Sequence, residues 1–280
     1  MSQSAKKPLL SHLVRIWQRK TKEEIYAAIL CGDVAVDGIV VRNHKALVSP
    51  QAEFTQRSPR FVGRGGDKLN GVLDKIDFNP AGKVCLDAGA STGGFTDCLL
   101  RREASHVHAA DVCCGKLAWK LKTDIRVTVH ERTNIMHLQP GALNPPPLMA
   151  VADLAFRSLR GAAAQLLRLT RGGPVLVLAK PQFENPEEEG FSGVVTAPKA
   201  RRKAVLNLIA DLRRESVYVR DAVLSPLTGH RGNMEFFLLL SNVCPADESR
   251  AAMRLEEAFV ESEQWHPYLK SSRPSGEPTQ

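Results

Sequence analysis

The stretch that most constrains the fold of this chain is Asp87-Ala88-Gly89-Ala90-Ser91-Thr92-Gly93-Gly94-Phe95. It follows residues 83–86, which predict a buried strand, and it precedes residues 96–100, which predict a helix. Glycine has no Cβ, so Gly89 and Gly93 allow the backbone to adopt positive φ and to approach a ligand closely. The helix that follows adds free N–H groups and the positive end of its dipole. This order of elements predicts a nucleotide-binding corner.

Two common corners of this kind do not fit the sequence. A Walker A loop needs a lysine and then Ser or Thr after its last glycine, whereas Gly94 is followed by Phe95 and Thr96. A dinucleotide fingerprint needs a glycine at the place that Ser91 occupies here. The pattern acid-x-Gly-x-x-x-Gly, with Asp87 at the tip of a strand, is typical of the S-adenosylmethionine corner of class I methyltransferases.

A second acid supports a nucleoside-like ligand. Residues 105–111 predict the next strand, which ends in Asp111, about 20 residues after the glycine turn. Asp111 either binds ribose hydroxyls or caps the following helix, and its place in the same predicted crevice as Asp87 favours ribose binding. The residues expected from this corner to bind the cofactor are Asp87, Gly89, Ser91, Gly93, Gly94, Phe95 and Asp111.

The composition of the chain indicates what kind of partner it binds and in which cellular compartment it is found. The chain has 280 residues, a net charge of +8 and a pI of about 9.3, which favours an acidic partner, chiefly nucleic acid. The apolar runs are too short to span a bilayer, and residues 1–8 lack the apolar core of a signal peptide. We therefore expect a cytoplasmic protein without integral membrane association.

Residues 1–56 predict a small α+β module. Two amphipathic helical patterns precede a hairpin whose turn is Asp37-Gly38. Residues 1–60 hold ten basic and five acidic side chains, a net charge of +5. The close spacing of Arg15, Arg19, Lys20 and Lys22 favours a patch that faces RNA phosphates, although a solvated face would give the same pattern.

The rest of the chain divides into three predicted parts. Residues 57–66 hold a proline and three glycines and predict a linker. Residues 67–243 alternate seven strand patterns with helical ones, which predicts an α/β fold with a mostly parallel seven-stranded sheet and helices on both faces. Residues 244–280 predict a C-terminal helix and then a disordered tail.

Four polar residues lie at predicted strand ends: Asp87, Asp111, Asp153 and Lys180. In open α/β sheets, ligands bind beyond the carboxyl ends of the strands. We therefore expect these four side chains to converge on one crevice.

Further motifs recur in order along the chain, namely Arg64-Gly65-Gly66-Asp67-Lys68-Leu69, Glu131-Arg132-Thr133-Asn134, Lys180-Pro181-Gln182-Phe183-Glu184 and Gly232-Asn233-Met234-Glu235-Phe236. Together with the glycine turn, they resemble the TlyA-type rRNA methyltransferases, also labelled the hemolysin A family, over roughly residues 9–241. The resemblance implies an S4-like RNA-binding domain joined to an FtsJ-type, Rossmann-like methyltransferase domain.

The resemblance also implies a reaction, the 2′-O-methylation of ribose in ribosomal RNA. The family's catalytic set maps onto Lys68, Asp153, Lys180 and Glu235. In this scheme Lys180 is the base that takes the hydroxyl proton, Lys68 and Glu235 tune it, and Asp153 also holds the methionine end of S-adenosylmethionine. No metal is required, and the implied partner is ribosomal RNA or a ribosomal subunit.

Some residues depart from the family pattern. The family's Gly-Tyr-Gly-Gln after Asp111-Val112 is replaced at residues 113–116, and the first serine of its Ser-Phe-Ile-Ser after Asp153 is lost. These departures keep open a ribosome-binding or assembly protein with lapsed catalysis, and the family label keeps open a membrane-active hemolysin. Glu184 and the acidic run at 187–189 are expected in a solvated loop rather than in the catalytic set.

Overall fold

The computed structural model describes residues 6–56, 60–155, 158–184 and 193–264. The N-terminal part contains the two predicted helices and the predicted hairpin, together with short additional strands. These elements are β1 (Lys7–Pro8), α1 (Leu9–Ile16), α2 (Lys22–Cys31), β2 (Val34–Val36), β3 (Ile39–Val40), β4 (Leu47–Val48) and β5 (Phe54–Gln56).

Local sequence explains where α2 begins and ends. Thr21 and Glu24 form a capping box, in which the Thr21 Oγ1 accepts from the Glu24 N–H and the Glu24 Oε2 accepts from the Thr21 N–H. The helix ends at Gly32, whose φ of 79° is left-handed. The hairpin between β2 and β3 turns at Asp37 and Gly38, which both have positive φ, as a tight turn of this kind requires.

The larger part of the chain is built on seven strands. These are β6 (Val84–Ala88), β7 (His106–Ala110), β8 (Val127–His130), β9 (Met149–Ala152), β10 (Val175–Ala179), β11 (Tyr218–Leu224) and β12 (Phe236–Ser241). Their order across the sheet is β11-β12-β10-β9-β6-β7-β8, and β12 runs antiparallel to both of its neighbours. The other pairings are parallel, so the predicted mostly parallel seven-stranded sheet is confirmed.

Seven helices accompany this sheet within the described residues. They are α3 (Arg64–Leu73), α4 (Gly94–Arg101), α5 (Trp119–Lys122), α6 (Ala162–Leu169), α7 (Pro181–Glu184), α8 (Pro198–Arg214) and α9 (Ser249–Gln264). Helix α3 begins three residues earlier than the sequence predicts, inside the predicted linker.

Alternate residues of each strand enter two separate apolar cores. In β10, Val175 and Val177 pack with α6 and α8, whereas Leu176 and Leu178 pack with α3 and α4. Successive side chains of a strand point to opposite faces, so a sheet covered on both sides needs apolar residues at every position. The predicted helices on both faces are therefore present.

Helix α9 lies against β11 and closes one edge of the sheet. The Phe259 ring packs edge-on against Phe236, with the centroids 5.4 Å apart, and Arg254 Nε donates to the buried Asp221 Oδ1. The tail that we expect to be disordered starts near Pro267 and lies outside the described residues. Within the described ranges, no helix is both long and apolar enough to cross a membrane.

Candidate active site

The glycine turn lies between β6 and α4, where the sequence predicts it. Gly89 has a φ of +84°, and a Cβ on it would come within 2.6 Å of the Asp153 carbonyl oxygen. Gly93 has a φ of +94°, and a Cβ on it would overlap the side chain of Leu121. Both positions therefore require glycine, for the backbone angle and for the close approach of neighbouring segments.

Asp87 is fully buried directly before this turn. Its Oδ2 accepts a hydrogen bond of 2.6 Å from Thr96 Oγ1, whereas its Oδ1 has no hydrogen-bond partner among the described residues. Burial raises the pKa of Asp87 to about 7, and the negative charges of Asp153 and Asp111 add to the rise. An orphaned carboxylate oxygen of this kind fits a cationic group, since the cation would supply the missing partner.

Asp111 is held in a fixed orientation by two backbone N–H groups. Its Oδ2 accepts from Ser91 at 2.8 Å and its Oδ1 accepts from Cys113 at 2.7 Å. Each oxygen retains a further lone pair for a hydroxyl donor. Helix α5 begins only at Trp119, so the alternative that Asp111 caps the next helix is wrong. Asp111 and Ser91 line a narrow cleft with His130.

Two residues of the expected cofactor set have their main contacts elsewhere. The Phe95 ring is buried and packs 5.9 Å from the Phe237 ring, so any contact with a ligand in the turn is through its backbone. A Cβ on Gly94 would come within 2.7 Å of the Gly66 nitrogen. Gly94 therefore lets α3 and α4 approach each other closely.

This close approach positions Lys68, which lies in the second turn of α3. Its Nζ lies 2.6 Å from Glu235 Oε2, and the two side chains are 10% and 3% exposed. Gly66 contributes to the same packing, because a Cβ there would overlap the Phe61 ring.

Lys180 follows the last residue of β10 and forms the second ion pair. Its Nζ lies 2.5 Å from Asp153 Oδ1 and donates to the Leu154 carbonyl at 3.0 Å. Ala179 pairs with Phe236 in the sheet. Lys180, directly after β10, therefore lies beside Glu235, directly before β12. The four residues mapped as catalytic therefore form two ion pairs at one edge of the sheet.

The prediction that Glu184 lies in a solvated loop is wrong. Glu184 is 3% exposed because the short helix α7 turns it inward. Its carboxylate accepts from Ser158 Oγ at 2.5 Å, from the Leu159 N–H at 3.0 Å and from Arg160 Nη1 at 3.2 Å. Glu184 thus fixes the segment that follows Asp153, a role for which the sequence carries no local signal. The acidic run at 187–189 lies outside the described residues.

Thr96 is a second residue that sequence reasoning missed. It is completely buried, and its hydroxyl donates to the Asp87 carboxylate. Its position in the first turn of α4, directly after the glycine turn, is the signal that could have found it. In the described part of the chain, no group of three or more His, Cys, Asp or Glu side chains is arranged to hold a metal ion.

Comparison with known proteins shows the family to which this chain belongs. Residues 61–242 match the family described as FtsJ-like methyltransferase, and the chain belongs to that family. The chain is 38% identical over 253 residues to the "16S/23S rRNA (cytidine-2'-O)-methyltransferase TlyA" of Mycobacterium tuberculosis, which covers 89% of this chain and 94% of that protein. The predicted methyltransferase is thereby confirmed.

Proteins with the hemolysin label also match this chain. The chain is 33% identical to "Hemolysin A" of Brachyspira hyodysenteriae, over 74% of this chain and 88% of that protein. A crystal structure of a "putative hemolysin" from Lactococcus lactis superposes with a TM-score of 0.68 at 32% identity, and covers 73% of this chain and 99% of that one. The resemblance to the TlyA-type, hemolysin A-labelled proteins is therefore confirmed.

Proposed function

We propose that this protein transfers a methyl group from S-adenosylmethionine to a ribose 2′-hydroxyl of ribosomal RNA. The observation that carries the proposal is the Lys180–Asp153 ion pair, which lies directly against the glycine turn. The proposed base, Lys180, therefore lies next to the glycine turn that would hold the nucleoside part of the cofactor. The names of the relatives, which specify 2′-O-methylation of cytidine in ribosomal RNA, support the same reaction.

The residues around the glycine turn suit the cofactor. The buried Asp87 carboxylate would hold the cationic amino group, and Asp111 would accept from the ribose hydroxyls. S-adenosylmethionine, when bound, supplies the methyl group on a positively charged sulfur. Positioning of the hydroxyl and removal of its proton are left to side chains of this chain.

We assign the two lysines different tasks. Lys68 is enclosed with Glu235, whose side chain is only 3% exposed, whereas the Asp153 partner of Lys180 is 25% exposed and adjoins the turn. Lys180 would first release its ammonium proton to solvent, and the neutral amine would then take the proton of the 2′-hydroxyl, while Asp153 and the Leu154 carbonyl hold that nitrogen in place. The Lys68–Glu235 pair, which lies beside Lys180, would orient the ribose.

The basic N-terminal module supports RNA as the substrate. Residues 1–60 carry a net charge of +5, and Arg19 and Lys20 line a groove with Trp17 and Phe54. Basic side chains next to aromatic ones suit a nucleic-acid chain. We propose residues 1–56 as this RNA-binding domain, 57–66 as a linker, 67–243 as the methyltransferase domain, and the cytoplasm, where ribosomal subunits are found, as the location.

The test is methyl transfer to purified ribosomal subunits that lack the modification. The full-length protein with methyl-labelled S-adenosylmethionine should label ribosomal RNA at positions that resist alkaline cleavage, as 2′-O-methylated sites do. Lys180→Ala should lower the rate by roughly 10²–10⁴-fold while calorimetry shows the cofactor still bound. The matched control is Lys203→Ala, an exposed lysine on α8.

Two outcomes would contradict the proposal. Equal transfer by the Lys180→Ala variant would remove the base from the scheme. Failure of the wild type to bind S-adenosylmethionine would instead favour a ribosome-binding protein with lapsed catalysis.

A further inference from the structure

Helix α5 and the loop before it lie over the glycine turn with an unusual outer face. The inner face is fixed by Leu117 and Leu121, which are buried against Gly93. The outer face carries Trp119, whose side chain is 78% exposed. Because Leu117 and Leu121 hold this element in place, a ligand that covers Trp119 would not disturb the fold. The indole ring offers such a ligand a large flat surface.

Basic residues lie beside this tryptophan in the chain and on the neighbouring helix α4. We define the Trp119 surface as Lys116, Trp119 and Lys120 together with the neighbouring Arg101. Lys120 Nζ and Arg101 Nε both donate to one carboxylate, that of Asp97, at 2.9 and 3.1 Å. One negative charge therefore faces two cations, and the exposed Lys116 adds a third.

The Trp119 surface joins two parts of the molecule that the proposed reaction needs. At one end Lys116 lines the cleft that also contains Asp111. At the other end Asp97 Oδ2 accepts from the Val62 N–H at 2.9 Å, which lies in the segment that leads back to the N-terminal module. The surface therefore borders the cofactor corner on one side and the segment that follows the N-terminal module on the other.

We propose that Trp119 is a stacking platform for one base of a single-stranded segment of the RNA substrate, with Lys116, Lys120 and Arg101 meeting the flanking phosphates. The identity of the RNA rests on the proposed function, but the stacking does not. A single aromatic ring with cations around it is the arrangement that binds single strands regardless of sequence. The two lysines favour a nucleic acid over a protein partner, since lysine is depleted from protein interfaces.

The fluorescence of Trp119 itself is the direct test. The chain has three tryptophans, so the double substitution Trp17→Phe and Trp265→Phe leaves Trp119 as the only one. A short single-stranded cytidine oligoribonucleotide should quench its emission, whereas heparin, an anion without bases, should not. Unchanged emission with RNA, or equal quenching by heparin, would overturn the inference.

Kinetics with ribosomal subunits give the second test. Trp119→Ala should raise the KM for subunits about tenfold, the effect expected for one lost stacked base, with kcat and the Kd for S-adenosylmethionine unchanged. Trp119→Phe should recover most of the loss because it keeps an aromatic face. The matched control is Ile125→Ala, which removes an apolar side chain that is 97% exposed and lies after α5.

The two tests separate this inference from the proposed function. If the wild type methylates no subunit, the proposed function fails while quenching by RNA still supports the platform. If Trp119→Ala leaves the KM for subunits unchanged, the platform fails while methylation stands. Quenching by ribosomal proteins and not by RNA would assign the surface to a protein partner and overturn the inference.

Discussion

Lys68 Nζ lies 2.6 Å from Glu235 Oε2, although 167 positions separate the two residues in the chain. One is on helix α3 and the other directly precedes the antiparallel strand β12. Both side chains are buried, so neither charge has water as an alternative partner. The pair therefore connects the first helix of the methyltransferase domain to the last strand of its sheet.

Breaking this pair should cost more than removing it. Lys68→Met or Glu235→Gln alone leaves a buried charge without a partner and should lower the free energy of unfolding by about 3–5 kcal/mol. The double variant Lys68→Met with Glu235→Gln should be less destabilised than either single change, and all three should lack methyl transfer. Urea denaturation measures this cycle.

An exposed pair provides the control for that cycle. Arg213 and Glu248 lie 2.8 Å apart with side chains 59% and 46% exposed, and neutralising either should change stability by less than about 1 kcal/mol. Additive losses at Lys68 and Glu235 would show that the two charges do not depend on each other.

The buried Asp87 should make stability fall as the pH rises. Its folded pKa of about 7 lies above its usual value of 3.8, so between these values the folded protein keeps a proton that the unfolded chain has lost. The free energy of unfolding should drop by about 1.4 kcal/mol per pH unit across this window, on the order of 4 kcal/mol in total. Asp87→Asn should remove this slope, as urea denaturation from pH 4 to 8 would show.

The same proton should oppose cofactor binding below pH 7. An ionised Asp87 is what a cationic amino group needs, so the Kd for S-adenosylmethionine should rise towards tenfold for each pH unit below 7. Calorimetry at pH 6 in buffers with different ionisation heats should detect proton release on binding. A Kd that does not change between pH 5.5 and 8 would contradict the role given to Asp87.

Gly229 should be needed for the position of Glu235. A Cβ on Gly229 would overlap the Glu235 carboxylate, so Gly229→Ala should displace that group from Lys68. We expect methyl transfer to fall at least tenfold, with a loss of stability of about 1–3 kcal/mol from overpacking. Gly82→Ala is the control, since its Cβ meets open space and its φ of +67° alone costs about 1–2 kcal/mol. Wild-type activity of Gly229→Ala would show that the position of Glu235 does not matter.

Glu184 should act through the segment that follows Asp153. Glu184→Ala removes the acceptor of Ser158 Oγ, which is half-buried, and of the Leu159 N–H, which is left without this acceptor in the protein interior. Hydrogen exchange should speed up at residues 158–160 and kcat should fall, because the Leu154 carbonyl that accepts from Lys180 belongs to the same segment. Glu184→Gln keeps one acceptor oxygen and should lose less.

A surface carboxylate tests whether the Glu184 effect is specific. Glu256 pairs with Arg202 on the outside of α8, and Glu256→Gln should leave both exchange and kcat unchanged. Loss of kcat in Glu184→Ala without faster exchange would place its role elsewhere.

The strands and the glycine turn were predictable because their signals are local. The apolar residues of β10 and the spacing of Gly89 and Gly93 are read within a few positions, and each has one structural solution. The alternation of strands and helices then fixed the parallel sheet, and with it the edge at which Asp153 and Lys180 meet.

The tertiary structure alone decided how the polar residues are paired. The sequence placed Glu184 in a solvated loop, and it offered no donor for Asp87, because a side chain's partner depends on which distant segment packs beside it. By itself, the sequence predicted the fold class and the cofactor corner, and its resemblance to a family implied four candidate catalytic residues. Only the tertiary structure, which brings the strands side by side, showed that those residues form two ion pairs. The Lys68–Glu235 pair is buried, and the Lys180–Asp153 pair is more exposed and lies at the glycine turn.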